Sequence, residues 1–239
     1  MLCFGGLFTP IKHINGRVLG RKRVVKTIRF KQSKRTLNGS IIYNIMIYNK
    51  EEVAWFKTKK DRFWELSNMA GGMPIYWPLE QNKANRWNSS EQLYQASKYD
   101  KDAVCLPASN DWGEPNVRKR IFSQKTPRGA KMTQKCAVKA GLVRKDWDSE
   151  QEIRIKAMVW VLELKLYWNR KTFGKVLAET QAKYIVEVSG KDSFWGCIEK
   201  GHNELVGENN LGKVLMNLRA RSSDIIEGRF TYSNGFLLE

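Results

Sequence analysis

Two carboxylates stand in surroundings suited to acid–base work. Glu91 lies in Trp87-Asn88-Ser89-Ser90-Glu91-Gln92-Leu93-Tyr94-Gln95. With Ser89 as a helix cap, Gln92 takes the capping-box position and Glu91 falls in the first turn. The helix dipole favours an ionised carboxylate there. Such a group can act as a base, a nucleophile or the partner of a developing cation. A first-turn glutamate can equally do no more than stabilise the helix end. Asp192 lies in Ser189-Gly190-Lys191-Asp192-Ser193-Phe194-Trp195-Gly196, a glycine-bracketed loop after a predicted strand. Loops at strand ends often build sites, and Trp195 offers a π-face to a nucleobase. A turn around a packed tryptophan would read the same way.

Three further segments carry polar or aromatic groups. Arg144-Lys145-Asp146-Trp147-Asp148 precedes a long predicted helix, with Trp147 placed to line a pocket and Asp148 to cap. Gly207-Glu208-Asn209-Asn210-Leu211-Gly212 opens another helix, whose N-terminus would suit an anion. Leu66-Ser67-Asn68-Met69-Ala70-Gly71-Gly72 reads as a polar, glycine-rich loop.

The elements that must hold these residues are partly legible. Asp148 to Arg170 is the clearest helix, with Asp148 as cap and Gln151 at the third helical position. Ile153, Ala157, Trp160, Val161, Leu164 and Trp168 recur at helical spacing and form its core face. Phe173 to Glu179 predicts a short helix, Tyr184 to Val188 a strand, and Leu211 to Ala220 a helix.

The first 50 residues contain no Asp or Glu, and Glu51 is the first acid. Asn15-Gly16 and Asn38-Gly39 are hairpin turn signals. Arg23 to Lys31 and Ile41 to Tyr48 read as strands. The expectation is a basic, β-rich N-terminal extension over residues 1–52 and a catalytic domain over 53–239. The extension serves either as a platform for phosphates or as a solubilising tail.

Composition narrows the function classes. With 239 residues and 42% hydrophobic content, the chain can bury a sizeable core. A net charge of +18 points to a polyanionic partner, nucleic acid first. The cysteines (Cys3, Cys105, Cys136, Cys197) form no C-x-x-C pair, and the only histidines, His13 and His202, stand apart from them. No metal or cofactor is therefore expected, and a reduced, cytoplasmic setting fits best. No apolar run approaches the ~20 residues of a membrane span, and Met1 to Phe8 lacks the basic leader of a signal peptide.

Taken in order, the motifs say more than each does alone. L-S-N-M-A-G-G, W-x-S-S-E-x-x-Y-Q-A, T-P-x-x-A-K, D-W-D, S-x-K-D-x-F-W-G and G-x-N-x-L-G-x-x-L-M-x-L-R run from about Phe56 to Arg221. This series resembles the NADAR (YbiA-like) family. The resemblance implies a compact, helix-rich α+β fold with one pocket, and metal-free cleavage of N-glycosidic bonds to ribose. One branch of that family hydrolyses phosphoribosylated intermediates of riboflavin synthesis. Another removes ADP-ribose from guanine in DNA, as antitoxin to DarT-type ADP-ribosyltransferases, and the motifs here are closer in wording to that branch.

The resemblance makes Glu91 and Asp192 the acidic pair, and Trp147 and Trp195 the pocket aromatics. Asn68, Lys131 and Asn209 fall at positions that would hold ribose or phosphate. Glu91→Gln and Asp192→Asn are each expected to abolish turnover. The implied partners are ADP-ribosylated DNA and a toxin of the DarT type. The metabolite-cleaving branch is the first alternative, and a non-catalytic ADP-ribose or nucleic-acid binding module the second. The insert from Cys105 to Val117 is long for the family and is expected to shape substrate access.

Overall fold

A computed structural model of the chain describes residues 45–105, 114–148, 153–201 and 203–232. The expected hairpins and the strand before residue 45, Gln151, His202 and most of the Cys105–Val117 insert lie outside them. The insert's two ends are tied together, with Cys105 N donating to Pro115 O and Val117 N to Ala103 O.

The sheet has five strands in the order β1 (Met46–Asn49), β7 (Glu204–Gly207), β6 (Cys197–Lys200), β5 (Ile185–Ser189) and β2 (Ala54–Phe56). β5 runs parallel to β2 and β6, while β7 is antiparallel to β6 and β1. β1 lies before the compositional step at residue 50, yet it is hydrogen-bonded into the sheet that carries β5. A short ladder of β3 (Ile75–Tyr76) and β4 (Arg86–Trp87) stands apart.

β5 reads Ile-Val-Glu-Val-Ser, and its alternation sends side chains to opposite faces. Val186 and Val188 join Tyr48, Cys197 and Leu205 in a small cluster, whereas Ile185 belongs to the main core. Glu187 shares the parity of Ile185, so a carboxylate is directed to the helical side.

Among the described residues there are eight α-helices: α1 (Ser90–Ala96), α2 (Val117–Phe122), α3 (Pro127–Thr133), α4 (Lys135–Lys139), α5 (Ile153–Trp168), α6 (Lys175–Glu179), α7 (Asn210–Ala220) and α8 (Ser222–Ile226). α7 lies on β5, and α5 packs between α7 and α1. At Gly212 an added Cβ would stand 2.1 Å from Ile185 O, so only glycine allows this approach. α5 is buried well beyond the expected stripe. Met158 and the whole run from Trp160 to Leu166 are inside, Glu163 and Lys165 included. It stops at Trp168, two residues before the expected end, and a π-turn over Arg170–Gly174 leads into α6. Among the described residues no helix is long and apolar enough to cross a membrane.

Candidate active site

A recess of about 490 Å³ opens where the C-terminal ends of parallel strands β2 and β5 meet the helices. Ligands favour this position in open α/β sheets. Lys57 follows β2, and the loop through Gly190, Asp192 and Trp195 follows β5.

α1 supplies the wall. Its start is as the sequence reads: Ser89 Oγ accepts from Gln92 N at 3.2 Å. The capping box is shifted by one residue, because Gln92 Oε1 accepts from Asn88 N rather than from the N–H of the cap. Gln92 Nε2 donates instead to the carbonyls of Ile121, Phe122 and Gln124, which fixes α1 against the end of α2. Glu91, Tyr94, Gln95 and Lys98 follow at spacings of three and four, which brings them to one face. All four line the recess.

Glu91 is only 5% exposed. Asn68 Nδ2 donates to its Oε2 and Gln95 Nε2 to its Oε1, both at 2.6 Å. Both carboxylate oxygens are therefore held by amides, one from α1 itself and one from the Leu66–Gly72 loop. That loop is anchored in turn by Lys165, which is fully buried and donates to Glu65 O at 2.8 Å and Ser67 O at 2.9 Å. Burial lowers the Lys165 ammonium to about 7.

Glu187, on β5, also lines the recess, and no motif in the sequence marks it. Burial raises its carboxyl to about 7, with further increases from the charges of Asp192 and Glu91. Near neutrality it can hold a proton. A signal was available in the alternation of β5, where an acid shares the parity of a core isoleucine.

Of the seven residues singled out from sequence, six line this one recess: Asn68, Glu91, Lys131, Trp147, Asp192 and Trp195. Tyr94 packs between the two tryptophans, with ring centroids 5.4 Å from Trp147 and 5.8 Å from Trp195. Lys57, Lys98, Lys131 and Arg154 contribute positive charge. Burial lowers the Lys98 ammonium and Glu91 draws it back up.

One expectation needs correction. Asn209 does not reach the recess. It is fully buried at the start of α7 in a left-handed conformation, and its Nδ2 donates to Ile185 O at 2.8 Å. It holds α7 on β5. The start of α7 is not an anion cradle either, because the N–H groups of Asn209, Asn210 and Leu211 donate to Gly196 O, Phe194 O and Trp195 O. Asp192 lines the recess but is exposed, and its Oδ1 is engaged by the N–H groups of Phe194 and Trp195 at 3.0 and 2.9 Å. That oxygen shapes the loop. Asp148 likewise faces the recess and accepts from Arg154 Nη1 at 3.0 Å. Among the described residues no group of three His, Cys, Asp or Glu side chains converges as a metal would require.

Carboxylates, aromatic rings and cations share this recess, a combination suited to glycosidic bond cleavage. Comparison with known proteins gives the particular family. Residues 54–222 match the NADAR domain. An N-glycosidase of Nostoc punctiforme is 31% identical over 142 residues, which is 59% of this chain and 77% of that protein. The NMR structure of the E. coli protein YbiA shares the fold, with a TM-score of 0.50 at 22% identity, covering 77% of this chain and 92% of that one. The chain belongs to the NADAR family and is an N-glycosidase.

Proposed function

We propose that this N-glycosidase removes ADP-ribose from guanine in DNA, and so reverses the action of a DarT-type transferase. The observation that carries this reading is that Glu91, fixed by Asn68 and Gln95, and a second carboxyl, Glu187, line one recess together with four cations. Breaking the bond from ribose C1′ to the base nitrogen builds positive charge at C1′ and the ring oxygen. Glu91 stabilises that charge and takes a proton from the attacking water. The bonding pair leaves with the nitrogen, which receives the proton of Glu187. One water is consumed, and free ADP-ribose and unmodified base result. Asp192, the second acid expected from sequence, acts here through its charge on Glu187 and through the loop that presents Trp195. Trp147, Tyr94 and Trp195 offer aromatic surface to base or sugar. The cations offset a diphosphate.

The net charge of +18 also favours a polyanionic substrate over a free phosphoribosyl metabolite. The test is incubation with a single-stranded oligonucleotide bearing ADP-ribosyl-guanine, read by gel shift and mass spectrometry. Release of ADP-ribose supports the reading. Hydrolysis of phosphoribosylated metabolites alone would transfer the same mechanism to the smaller substrate.

A further inference from the structure

From Val117 to Lys145 the chain contains no acidic residue, and this stretch is folded into α2, α3 and α4. Arg128 and Lys131 share one face of α3, and Lys135 and Lys139 share one face of α4, which follows directly after Gln134. All four are exposed, as are the flanking Lys125 and Lys145. Ala130, Thr133, Gln134 and Ala137 occupy the buried side. Among the described residues none of these six cations forms a salt bridge, and Lys131 alone acts on an acid, lowering Glu187 through its charge. Elsewhere on the surface, cations do pair: Lys50 with Glu199, and Arg229 with Asp224 and Glu227. Cations without such pairing repel one another, and a polyanion laid along them relieves that repulsion. Met132 and Val138, 47% and 46% exposed on the same two helices, add apolar contact for sugars and bases.

These cations do not stand apart from the recess, since Lys131 also lines it. We infer that α3 and α4 form the track for the nucleic-acid strand that carries the modified nucleotide. Phosphates lie on Lys135 and Lys139, and the strand is led into the pocket at Lys131. This rests on the DNA-directed reading above. A single strand is the fitting form, because a base must leave its stack to enter a recess.

The test uses the full chain with Lys135→Gln/Lys139→Gln, and Lys135→Glu/Lys139→Glu as the stronger variant. Neither position lines the pocket. Three readouts are needed: hydrolysis of a modified single-stranded oligonucleotide, hydrolysis of ADP-ribosylated guanosine, and fluorescence anisotropy with an unmodified strand. The expected result is a KM raised about tenfold on the oligonucleotide with kcat retained, and no change on the nucleoside. The glutamine pair should also lower the salt slope of strand binding by about 1.4, at ~0.7 per phosphate on single strands. Unchanged KM and unchanged salt slope would overturn the track while leaving the DNA reading intact. If the wild type releases no ADP-ribose from DNA, that reading fails, and anisotropy alone decides the track. Weaker, less salt-dependent binding by the variants then upholds it, and equal binding rejects it.

Discussion

Asn68 Nδ2 donates to Glu91 Oε2 at 2.6 Å, so a loop residue fixes the carboxylate of a helix residue 23 positions further along. Both ends are buried. Asn68→Ala removes a charge-assisted bond worth about 2 kcal/mol. If the geometry of Glu91 matters in the transition state, kcat/KM falls about 30-fold. Steady-state kinetics beside a thermal melt separates this from a loss of folding.

Lys165 secures the same loop from below, through Glu65 O and Ser67 O. Its folded value of about 7 lies below the ordinary 10.5. The native state therefore binds fewer protons than the unfolded state between these values, and this group makes stability rise as pH climbs from 7 to 10.5. Lys165→Met should abolish that rise and lower kcat by loosening Asn68. Denaturant melts across this pH range check the first effect.

Glu187 gives the opposite sign. Its carboxyl is raised from 4.5 to about 7. The folded state keeps a proton that the unfolded state has lost, so its contribution to stability declines between pH 4.5 and 7. Glu187→Gln removes this penalty and is expected to be more stable than wild type above pH 7, by up to about 3 kcal/mol. The same change should cost about 100-fold or more in turnover, as expected for loss of a general acid.

For the wild type, kcat/KM should fall as pH rises through about 7, when Glu187 loses its proton. Asp192→Asn keeps the oxygen that organises the loop but removes a charge that raises Glu187. Turnover should persist, with its alkaline limb shifted to lower pH. Complete loss of activity at every pH would restore Asp192 to the acid–base role expected from sequence.

Asn209→Ala tests the opposite kind of residue. Alanine loses the bond to Ile185 O and is strained in the left-handed conformation. A loss of about 2 kcal/mol in stability is expected, with KM unchanged. A raised KM in a stable variant would return Asn209 to the ligand.

The sequence carried much of this site because its motifs are local. The Ser89 cap, the first-turn Glu91 and the tryptophans each announce themselves within a few residues. Tyr94, Gln95 and Lys98 required only the helical period to be run forward from Glu91. Glu187 is not legible because its significance lies in which face of β5 meets the helices, and that depends on pairing with β2 and β6. The place of Asn209 is hidden for a related reason. A polar residue before a helix suits a ligand or a backbone carbonyl equally well, and only the approach of α7 to β5 at Gly212 decides between them. The burial of Glu163 and Lys165 in α5 was likewise hidden, since both look like solvent-facing charges in a helical pattern. Their partners lie far off, on Arg221 and Thr231 for one and the Glu65–Ser67 backbone for the other.

The most direct measurement compares wild type and Glu91→Gln on a single-stranded oligonucleotide bearing ADP-ribosyl-guanine, at pH 6 to 9, with both products quantified by mass spectrometry. The expected result is free ADP-ribose and unmodified DNA from the wild type, falling off above about pH 7, and neither product from the variant. Release by Glu91→Gln at the wild-type rate would contradict the assignment of the catalytic carboxylate. Absence of release by the wild type would contradict the proposed substrate.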